Sequence, residues 1–270
     1  MKDIKAAVLL IEGTNCEEES KFALEKVGIK AELVHLKQLT KNCSAERKRD
    51  LESYDMLFIP GGWSAGDYIR AGAIFSARLK SKLLKDLKKF IDEGKLILGV
   101  CNGFQVLIEL GILPGFDGIS EKPEASLVTN LNGKFQCRTV YLKHENKCYL
   151  TRRIEEGEVL KLPVAHAEGR LTFGENENRA LDMLLENKQV IFRYSKPDGN
   201  PAEMEYPWNP NGSIADIAAI SNPEKNVLGM MPHPERVISK YQHSDWTREN
   251  YQKGDGLKIF ESILDYFKKL

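Results

Sequence analysis

The stretch that most constrains the fold is residues 96–111, because its periodicity changes at a single cysteine. The apolar residues 96–100 form a short continuous run, which is typical of a strand covered on both faces in a parallel sheet. Cys101 follows between Gly99 and Gly103, and the apolar residues after it recur at helical spacing up to a closing glycine. The stretch therefore predicts a strand, a sharp turn and a helix, with one thiol raised at the carboxyl edge of a sheet.

A thiol in such a turn lies at the positive end of the following helix. This position lowers a thiol pKa and favours the reactive thiolate. The pattern G-x-C-x-G is also compatible with a buried structural cysteine, which is a common use of the residue. The interpretation of Cys101 as a nucleophile therefore depends on finding partners elsewhere in the sequence.

The first hundred residues repeat the alternation of strand and helix. Apolar runs that fit strands occupy residues 5–11, 29–36 and 54–59, and helical patterns occupy residues 15–28 and 75–94. This alternation predicts an α/β protein with an open, doubly wound, mostly parallel sheet and flanking helices. Asn15 is expected to cap the first helix and Asp255 the last.

The second half of the sequence is less regular. Residues 135–142 and 149–153 fit antiparallel strands, residues 195–212 form a long loop rich in Pro, Asn and Gly, and further strands are expected at 214–220 and 227–231. Long loops in compact domains are usually functional or disordered. The sequence has no internal repeat and no clear linker, so we expect residues 1–270 to form a single domain.

The composition excludes several classes of function. The chain has 39 basic and 39 acidic residues, so bulk charge gives no reason to expect a nucleic-acid partner. The first apolar run is too short for a signal peptide or a membrane span. Five cysteines without a C-x-x-C pair indicate reduced thiols and a cytoplasmic location. The segment from His144 to Cys148 has the spacing of a metalloprotease helix but ends in Cys, and we expect no metal there.

Two further loops follow predicted strands and supply candidate partners for Cys101. The loop 60–67, Pro-Gly-Gly-Trp-Ser-Ala-Gly-Asp, contains paired glycines that let backbone N–H groups approach a ligand. In the second loop, His233 and Glu235 are two residues apart, so the carboxylate can orient the imidazole. Together the three loops match the nucleophile, base and orienting group of thiol acyl transfer, with an oxyanion hole from the N–H groups of Asn102 and Gly62.

These motifs resemble the class I glutamine amidotransferases, whose glutaminase domains have a flavodoxin-like sheet, a glycine loop, G-x-C-x-G-x-Q and a late H-x-E. Within that class, the sequence is similar to the glutaminase subunits of phosphoribosylformylglycinamidine synthase, enzymes of purine biosynthesis. The segments that match are spread over the chain: residues 60–73, 99–105, 163–170, 209–213 and 231–236. The sequence departs from the pattern at Trp63 and Ala65, where Phe and Tyr are expected, and in an enlarged region from about 120 to 190.

The resemblance implies that Cys101 is the nucleophile, His233 the base and Glu235 its orienting group. It implies an oxyanion hole from Gly62 and Asn102, and contacts to glutamine from Gly62, Ser64 and Gln105. Ammonia would pass to a separate synthetase subunit that uses ATP and Mg²⁺, with a small third subunit as a possible further partner. The sequence itself contains no G-x-x-x-x-G-K-[ST] phosphate loop and no Asp-rich magnesium motif, so we expect no cofactor in this chain.

Other functions remain open at this point. One is the glutaminase subunit of a different amidotransferase. Another is a free-standing thiol hydrolase or chaperone of the same cysteine-turn superfamily; those proteins typically have His directly after the cysteine, where this chain has Asn102. The last is a non-catalytic regulatory subunit, which predicts a broken triad, whereas all three residues are present.

Overall fold

The structure, a computed structural model, describes residues 3–40 and 43–269. Five α-helices and eleven strands account for most of its regular structure. The strands are β1 Lys5–Leu10, β2 Lys30–His35, β3 Met56–Ile59, β4 Leu96–Val100, β5 Ser126–Val128, β6 Gln136–His144, β7 Val159–His166, β8 Arg170–Thr172, β9 Val190–Ser195, β10 Ile217–Ser221 and β11 Val227–Met230. The helices are α1 Glu17–Lys26, α2 Ala73–Asp92, α3 Asn102–Glu109, α4 Glu177–Glu186 and α5 Leu257–Lys268.

Nine of the strands form one mixed sheet in the order β2-β1-β3-β4-β11-β10-β9-β6-β7. The strands from β2 to β11 in this order are parallel, and those from β10 to β7 each run antiparallel to their neighbour. The central strands β3, β4 and β11 are entirely buried, as their continuous apolar sequences predict. The predicted open α/β sheet is confirmed, and its parallel half contains the Cys101 strand.

Helices cover both faces of this sheet. The ring of Phe58 in β3 packs against Phe260 of α5, with ring centroids 6.3 Å apart. On the opposite face, a β-carbon on Gly99 of β4 would lie 2.5 Å from the Leu107 side chain of α3. Gly99 is paired with Ile59, so these two residues face the same side of the sheet. Phe58 precedes Ile59 and therefore faces the other side, which places α3 and α5 on opposite faces. The fold is therefore doubly wound, as predicted.

The antiparallel half of the sheet curls back toward the parallel half. Strand β7 runs in the same direction as β4, since an even number of reversals separates it from β11. Its last residues therefore lie at the same carboxyl edge as Cys101. The carbonyl oxygen of Ala165 in β7 is 3.6 Å from the Cys101 Sγ, although four strands separate β7 from β4 in the sheet. The region 120–190 contributes β5 to β8 and α4, and its strand β7 thereby reaches the candidate site.

Three local predictions were wrong. Asn15 does not cap α1; Cys16 occupies the N-cap position, and no side chain provides a capping hydrogen bond. Asp255 does not cap α5 either, because its carboxylate accepts a hydrogen bond from the backbone N–H of Lys161, at 2.8 Å. Residues 149–151 form a short 3₁₀ helix instead of a strand. In each case a tertiary contact or a tight turn overrides the local preference of the sequence.

The segment from His144 to Cys148 is not helical and has a structural role. His144 ends β6, is fully buried, and its ring nitrogens contact the Glu155 carbonyl oxygen at 3.1 Å and Thr151 Oγ1 at 3.0 Å. Both ring nitrogens therefore already have partners within the chain.

The five cysteines are free thiols. Within residues 3–40 and 43–269, no helix combines the length and the apolar character needed to cross a membrane.

Candidate active site

Cys101 occupies the sharp turn between β4 and α3. Its backbone has φ 52° and ψ −108°, a conformation that costs energy for a residue with a side chain. The turn is fixed by hydrogen bonds from Cys101 N–H to the Met230 carbonyl, at 2.8 Å, and from Gln105 N–H to the Cys101 carbonyl, at 3.1 Å. The strained geometry of a nucleophile turn is thus present, and the thiol lies at the first turn of α3.

The loop after β11 brings an imidazole and a carboxylate to the same edge. His233 and Glu235 are almost completely buried, and His233 Nδ1 lies 2.6 Å from Glu235 Oε1. The backbone N–H of His233 donates to the Pro163 carbonyl in β7, at 2.9 Å, which fixes the loop against the curled sheet. The structure therefore brings together all three residues predicted to form a triad.

The surroundings of His233 favour its protonated form. Burial alone would lower the pKa of His233, because a buried cation loses hydration. The Glu235 carboxylate and the nearby thiols of Cys101 and Cys16 outweigh burial, and they raise the pKa of His233 well above its usual value. The imidazole is thus held as a proton donor beside the Cys101 thiol.

Gly61 allows these groups to converge. A β-carbon at this position would lie 2.8 Å from His233 Cε1, 3.1 Å from Cys16 Sγ and 3.3 Å from Cys101 Cβ. Any side chain at residue 61 would therefore displace the imidazole. The first glycine of the predicted loop is needed for packing space, which the sequence alone did not distinguish from a tight turn.

Cys16 is a site residue that the sequence analysis missed. It is buried beside His233, and Arg236 Nη2 lies 3.0 Å from its Sγ. Burial raises the pKa of the Cys16 thiol, so this second thiol stays protonated. A signal was available: Cys16 follows the turn after β1, and the carboxyl ends of parallel strands meet at one edge.

The side chains of Cys16, His233 and Glu235 also form a possible set of metal ligands, since their donor atoms lie within 4.8 Å of one another. Thiolate, imidazole and carboxylate are the donors that zinc prefers. However, His233 Nδ1 is already bonded to Glu235, and the Arg236 guanidinium contacts the Cys16 sulfur. The three side chains therefore already bond to other groups of the protein, and these contacts hold the His233 imidazole in place.

The two backbone N–H groups predicted to form the oxyanion hole, those of Gly62 and Asn102, are not used by the bridge or the helix to which they belong. Gly62 pairs with Thr14 in an antiparallel bridge whose hydrogen bonds are made by the residues on either side, so its own N–H is directed away from that bridge. Asn102 is the first residue of α3, where N–H groups have no intrahelical acceptor. Both Gly62 and Asn102 flank the Cys101 turn.

The remaining predicted residues form a hydrogen-bonded network on one side of Cys101. The Asn102 side chain accepts from Ser64 N–H at 3.3 Å and donates to Gln105 Oε1 at 2.9 Å. Gln105 Nε2 in turn donates to the Glu168 carbonyl oxygen, at 2.6 Å. Ser64 and Gln105 thus lie in the site, and Gln105 also anchors the segment that follows β7.

The loop after Ser64 is strained. Ala65, Gly66 and Asp67 all have positive φ, which is costly for the two residues that carry a side chain. Burial, together with the neighbouring Glu168 carboxylate, raises the pKa of Asp67 to about 6. Strain of this kind persists only where surrounding contacts enforce it, and it is common in segments that rearrange during function.

The segment 163–170 adds a second histidine to the site. His166 is buried at the end of β7, and the charge of His233 is near enough to disfavour its protonation. The sequence analysis noted this segment but left open whether His166 and Glu168 belong to a site or to a polar loop. The structure places them beside the Cys101 turn.

A cysteine turn, a buried His–Glu pair and a glycine loop on a doubly wound sheet are the features expected of a glutamine amidotransferase domain. Residues 3–267 match the model of the CobB/CobQ-like glutamine amidotransferase domain, and the chain belongs to this family.

The more specific relatives are subunits of one synthase. The chain is 50% identical to phosphoribosylformylglycinamidine synthase subunit PurQ of Archaeoglobus fulgidus, over 100% of this chain and 99% of the relative. It is 47% identical to the subunit of the same name from Picrophilus torridus, over 98% of both chains. Among solved structures, it is similar to a chain of PurLQS from Thermotoga maritima, with a TM-score of 0.72 and 32% identity over 98% of this chain and 99% of that chain.

Proposed function

We propose that this chain is the glutaminase subunit of phosphoribosylformylglycinamidine synthase. It hydrolyses glutamine to glutamate and ammonia. The ammonia passes to a separate synthetase subunit, which converts formylglycinamide ribonucleotide to formylglycinamidine ribonucleotide in de novo purine biosynthesis. The observation that carries the proposal is the convergence of Cys101 and the His233–Glu235 pair at one sheet edge. The full-length PurQ relatives supply the identity of the acceptor reaction.

The residues divide the reaction into two halves. The Cys101 thiolate attacks the side-chain amide carbon of glutamine, and the carbon–nitrogen bond breaks as His233 gives its proton to the departing ammonia. The product is a thioester between Cys101 and the glutamyl group. Water, deprotonated by His233, then attacks the thioester and releases glutamate and the thiolate. Glu235 keeps the imidazole oriented and stabilises its positive charge throughout.

The negative oxygen that develops in both halves needs hydrogen-bond donors. We assign this role to the N–H groups of Gly62 and Asn102, which flank Cys101 and are free of acceptors in their own elements. Gly62, Ser64 and Gln105 line the same side, and we assign them to glutamine binding.

The proposed chemistry requires no cofactor in this chain. ATP and Mg²⁺ belong to the synthetase subunit, where the acceptor is activated, and a small third subunit is a further candidate partner. The solved relative comes from PurLQS of Thermotoga maritima, which supports an assembly with other chains. We propose a cytoplasmic location, consistent with five free thiols.

The test is a pair of assays on the chain combined with its synthetase subunit. Wild-type complex should form formylglycinamidine ribonucleotide with either glutamine or an ammonium salt. Cys101→Ala should abolish the glutamine-dependent reaction and keep the ammonium-dependent one, because only ammonia production needs the thiol. Loss of both activities in an intact complex, or failure of the wild-type chain to release ammonia from glutamine, would contradict the proposal.

A further inference from the structure

The buried imidazole of His166 has a hydrogen bond at only one of its two nitrogens. His166 is 3% exposed, and its Nδ1 lies 3.1 Å from Asn130 Oδ1. Among residues 3–40 and 43–269, its Nε2 has no hydrogen-bond partner, although it too is inaccessible to solvent. A buried nitrogen without a partner costs free energy, so this atom needs an explanation.

The contacts of Asn130 determine which form of the ring is present. Asn130 Nδ2 donates to the carbonyl oxygens of Lys134, at 2.8 Å, and of His166, at 2.9 Å. Its Oδ1 therefore faces the ring, and it also accepts from Gly169 N–H at 3.1 Å. An amide oxygen can only accept, so His166 Nδ1 carries the hydrogen, and Nε2 of the neutral ring has a lone pair.

The environment of the ring holds His166 in this neutral form, with the hydrogen on Nδ1. Burial and the positive charge of His233 lower the pKa of His166 to about 3, so the ring is neutral at physiological pH. Gly169 closes the Nδ1 side, because a β-carbon there would lie 2.5 Å from both Nδ1 and Cε1 of His166. The unpartnered Nε2 thus belongs to a fixed, uncharged hydrogen-bond acceptor.

The backbone on either side of His166 contacts residues of the candidate site, and the ring is near enough to His233 to feel its charge. The residue before His166 contributes the carbonyl oxygen that lies 3.6 Å from Cys101 Sγ. The segment after it, at Glu168, is held by Gln105, three residues beyond Asn102 on α3. Asn211 supports the segment after His166, because its side chain donates to both the Gly169 carbonyl and the Tyr194 hydroxyl.

We propose that His166 Nε2 accepts an N–H hydrogen bond from the side-chain amide nitrogen of glutamine and then from the ammonia that leaves. The inference rests on the proposed glutaminase function and adds a specificity-determining residue to it. His166 distinguishes a bound side-chain amide, whose nitrogen has N–H donors, from a bound side-chain ester, whose alkoxy oxygen has none. It also holds ammonia without protonating it, so the nitrogen keeps the lone pair that it needs as a nucleophile.

The test compares two substrates that differ only in the leaving group: L-glutamine and L-glutamic acid γ-methyl ester. His166→Phe keeps a ring but removes the acceptor, whereas His166→Gln keeps an acceptor oxygen. We expect His166→Phe to lower kcat/KM for glutamine about tenfold or more and to leave kcat/KM for the ester nearly unchanged. His166→Gln should recover part of the loss with glutamine. An equal loss with both substrates would overturn the proposal, since it would indicate a structural role.

A third substrate separates the two nitrogens of glutamine. 4-Carbamoylbutanoate lacks the α-amino group but keeps the side-chain amide. If His166→Phe has no effect with this substrate, the acceptor binds the α-ammonium group and the proposal is wrong. If the tenfold loss remains, the assignment to the side-chain amide is supported.

A binding measurement covers the case in which His166→Phe does not fold. Cys101→Ala chain with ¹⁵N-labelled histidine is titrated with L-glutamine and, separately, with the γ-methyl ester. The Nε2 resonance of His166 should shift with glutamine and not with the ester; equal shifts would overturn the proposal. Failure of wild-type chain to release ammonia from glutamine in complex would instead contradict the proposed function, so the two failures are distinguishable.

Discussion

At the scale of single residues, the chemistry of the site depends on what surrounds the His233 imidazole. Its Nδ1 is bonded to Glu235, two thiols lie beside its ring, and Gly61 leaves the space in which they meet. The Glu235 carboxylate opposes the effect of burial and keeps the imidazole protonated. Both the orientation and the charge of His233 therefore depend on Glu235.

Glu235→Gln should lower glutamine-dependent turnover, but by less than His233→Ala or Cys101→Ala. An amide oxygen can still accept a hydrogen bond from the imidazole, whereas the negative charge is lost. Because the carboxylate raises the pKa of His233, its removal should also move the basic limb of the pH–rate profile to lower pH. Ammonia release measured across pH tests both expectations. If Glu235→Gln has wild-type turnover and an unchanged pH–rate profile, Glu235 does not act in the reaction.

The two buried thiols should differ in reactivity. A glutamine-like chloroketone should alkylate Cys101 in preference to Cys16, although both contact the same imidazole, because burial raises the pKa of Cys16 and keeps it protonated. Mass spectrometry of tryptic peptides gives the labelled fraction of each cysteine. Cys137→Ser, at an exposed thiol outside the triad, serves as the control and should leave the labelling of Cys101 unchanged. Similar labelling at all five cysteines would indicate ordinary thiol reactivity.

At the scale of secondary-structure elements, the β4–α3 turn depends on close packing of α3 against the sheet. A β-carbon on Gly103, in the first turn of α3, would lie 1.8 Å from the Ile59 carbonyl oxygen. A β-carbon on Gly99 of β4 would lie 2.5 Å from Leu107, and a β-carbon on Gly229 of β11 would lie 2.1 Å from Phe104. Glycines on neighbouring strands thus let α3 lie near the backbone of the sheet.

Gly103→Ala should therefore lower the free energy of unfolding by about 3 kcal/mol and shift Cys101 away from His233. Gly157→Ala is a suitable control: this glycine has φ +85° but no neighbouring atom within 4 Å of the added carbon. The control should cost about 1 kcal/mol, from backbone strain alone. Urea unfolding gives the free energy of unfolding of both variants, and an assay of the complex with the synthetase subunit gives their glutaminase activity. Equal stability of the two would contradict the packing argument.

The sequence predicted those elements whose causes are local. Continuous apolar runs located β3 and β4, and the glycines around Cys101 predicted the turn. The contribution of His166 was not predictable, because it depends on the curl that returns β7 to the carboxyl edge of β4. The capping prediction for Asp255 failed for a related reason: a side chain that can cap a helix can equally bond a distant strand. Cys16 could have been found from its position after β1, since the carboxyl ends of parallel strands meet at one edge.

At the scale of the whole molecule, the loop that carries Gly62 is both strained and exposed at its tip. Tyr68 is 89% exposed and Ile69 is 71% exposed, directly after the three residues with positive φ. Exposed apolar side chains next to a strained loop are suited to a contact that changes the loop on association. We therefore expect the orientation of the Gly62 N–H, the proposed oxyanion donor, to depend on whether the synthetase subunit is bound.

The isolated chain should hydrolyse glutamine slowly, and a substrate-loaded synthetase should raise the rate by roughly a hundredfold, the effect of one well-placed oxyanion donor. Tyr68→Ala should reduce this activation without changing the basal rate. Phe22→Ala, on α1 and 58% exposed, is the matched surface control. Steady-state glutaminase assays of the chain alone, with synthetase, and with synthetase plus acceptor and an ATP analogue provide the data. An isolated chain as fast as the full complex would favour a free-standing hydrolase.

The position of β11 between β4 and β10 has a consequence for synthesis of the chain on the ribosome. Strands β1 to β4 leave the ribosome first and include Cys101, but the strand that completes the centre of the sheet is the last one made. A nascent or truncated chain that ends before β11 has the thiol and lacks His233 and Glu235. Such a chain lacks two of the three residues of the proposed triad, so we expect it not to hydrolyse glutamine.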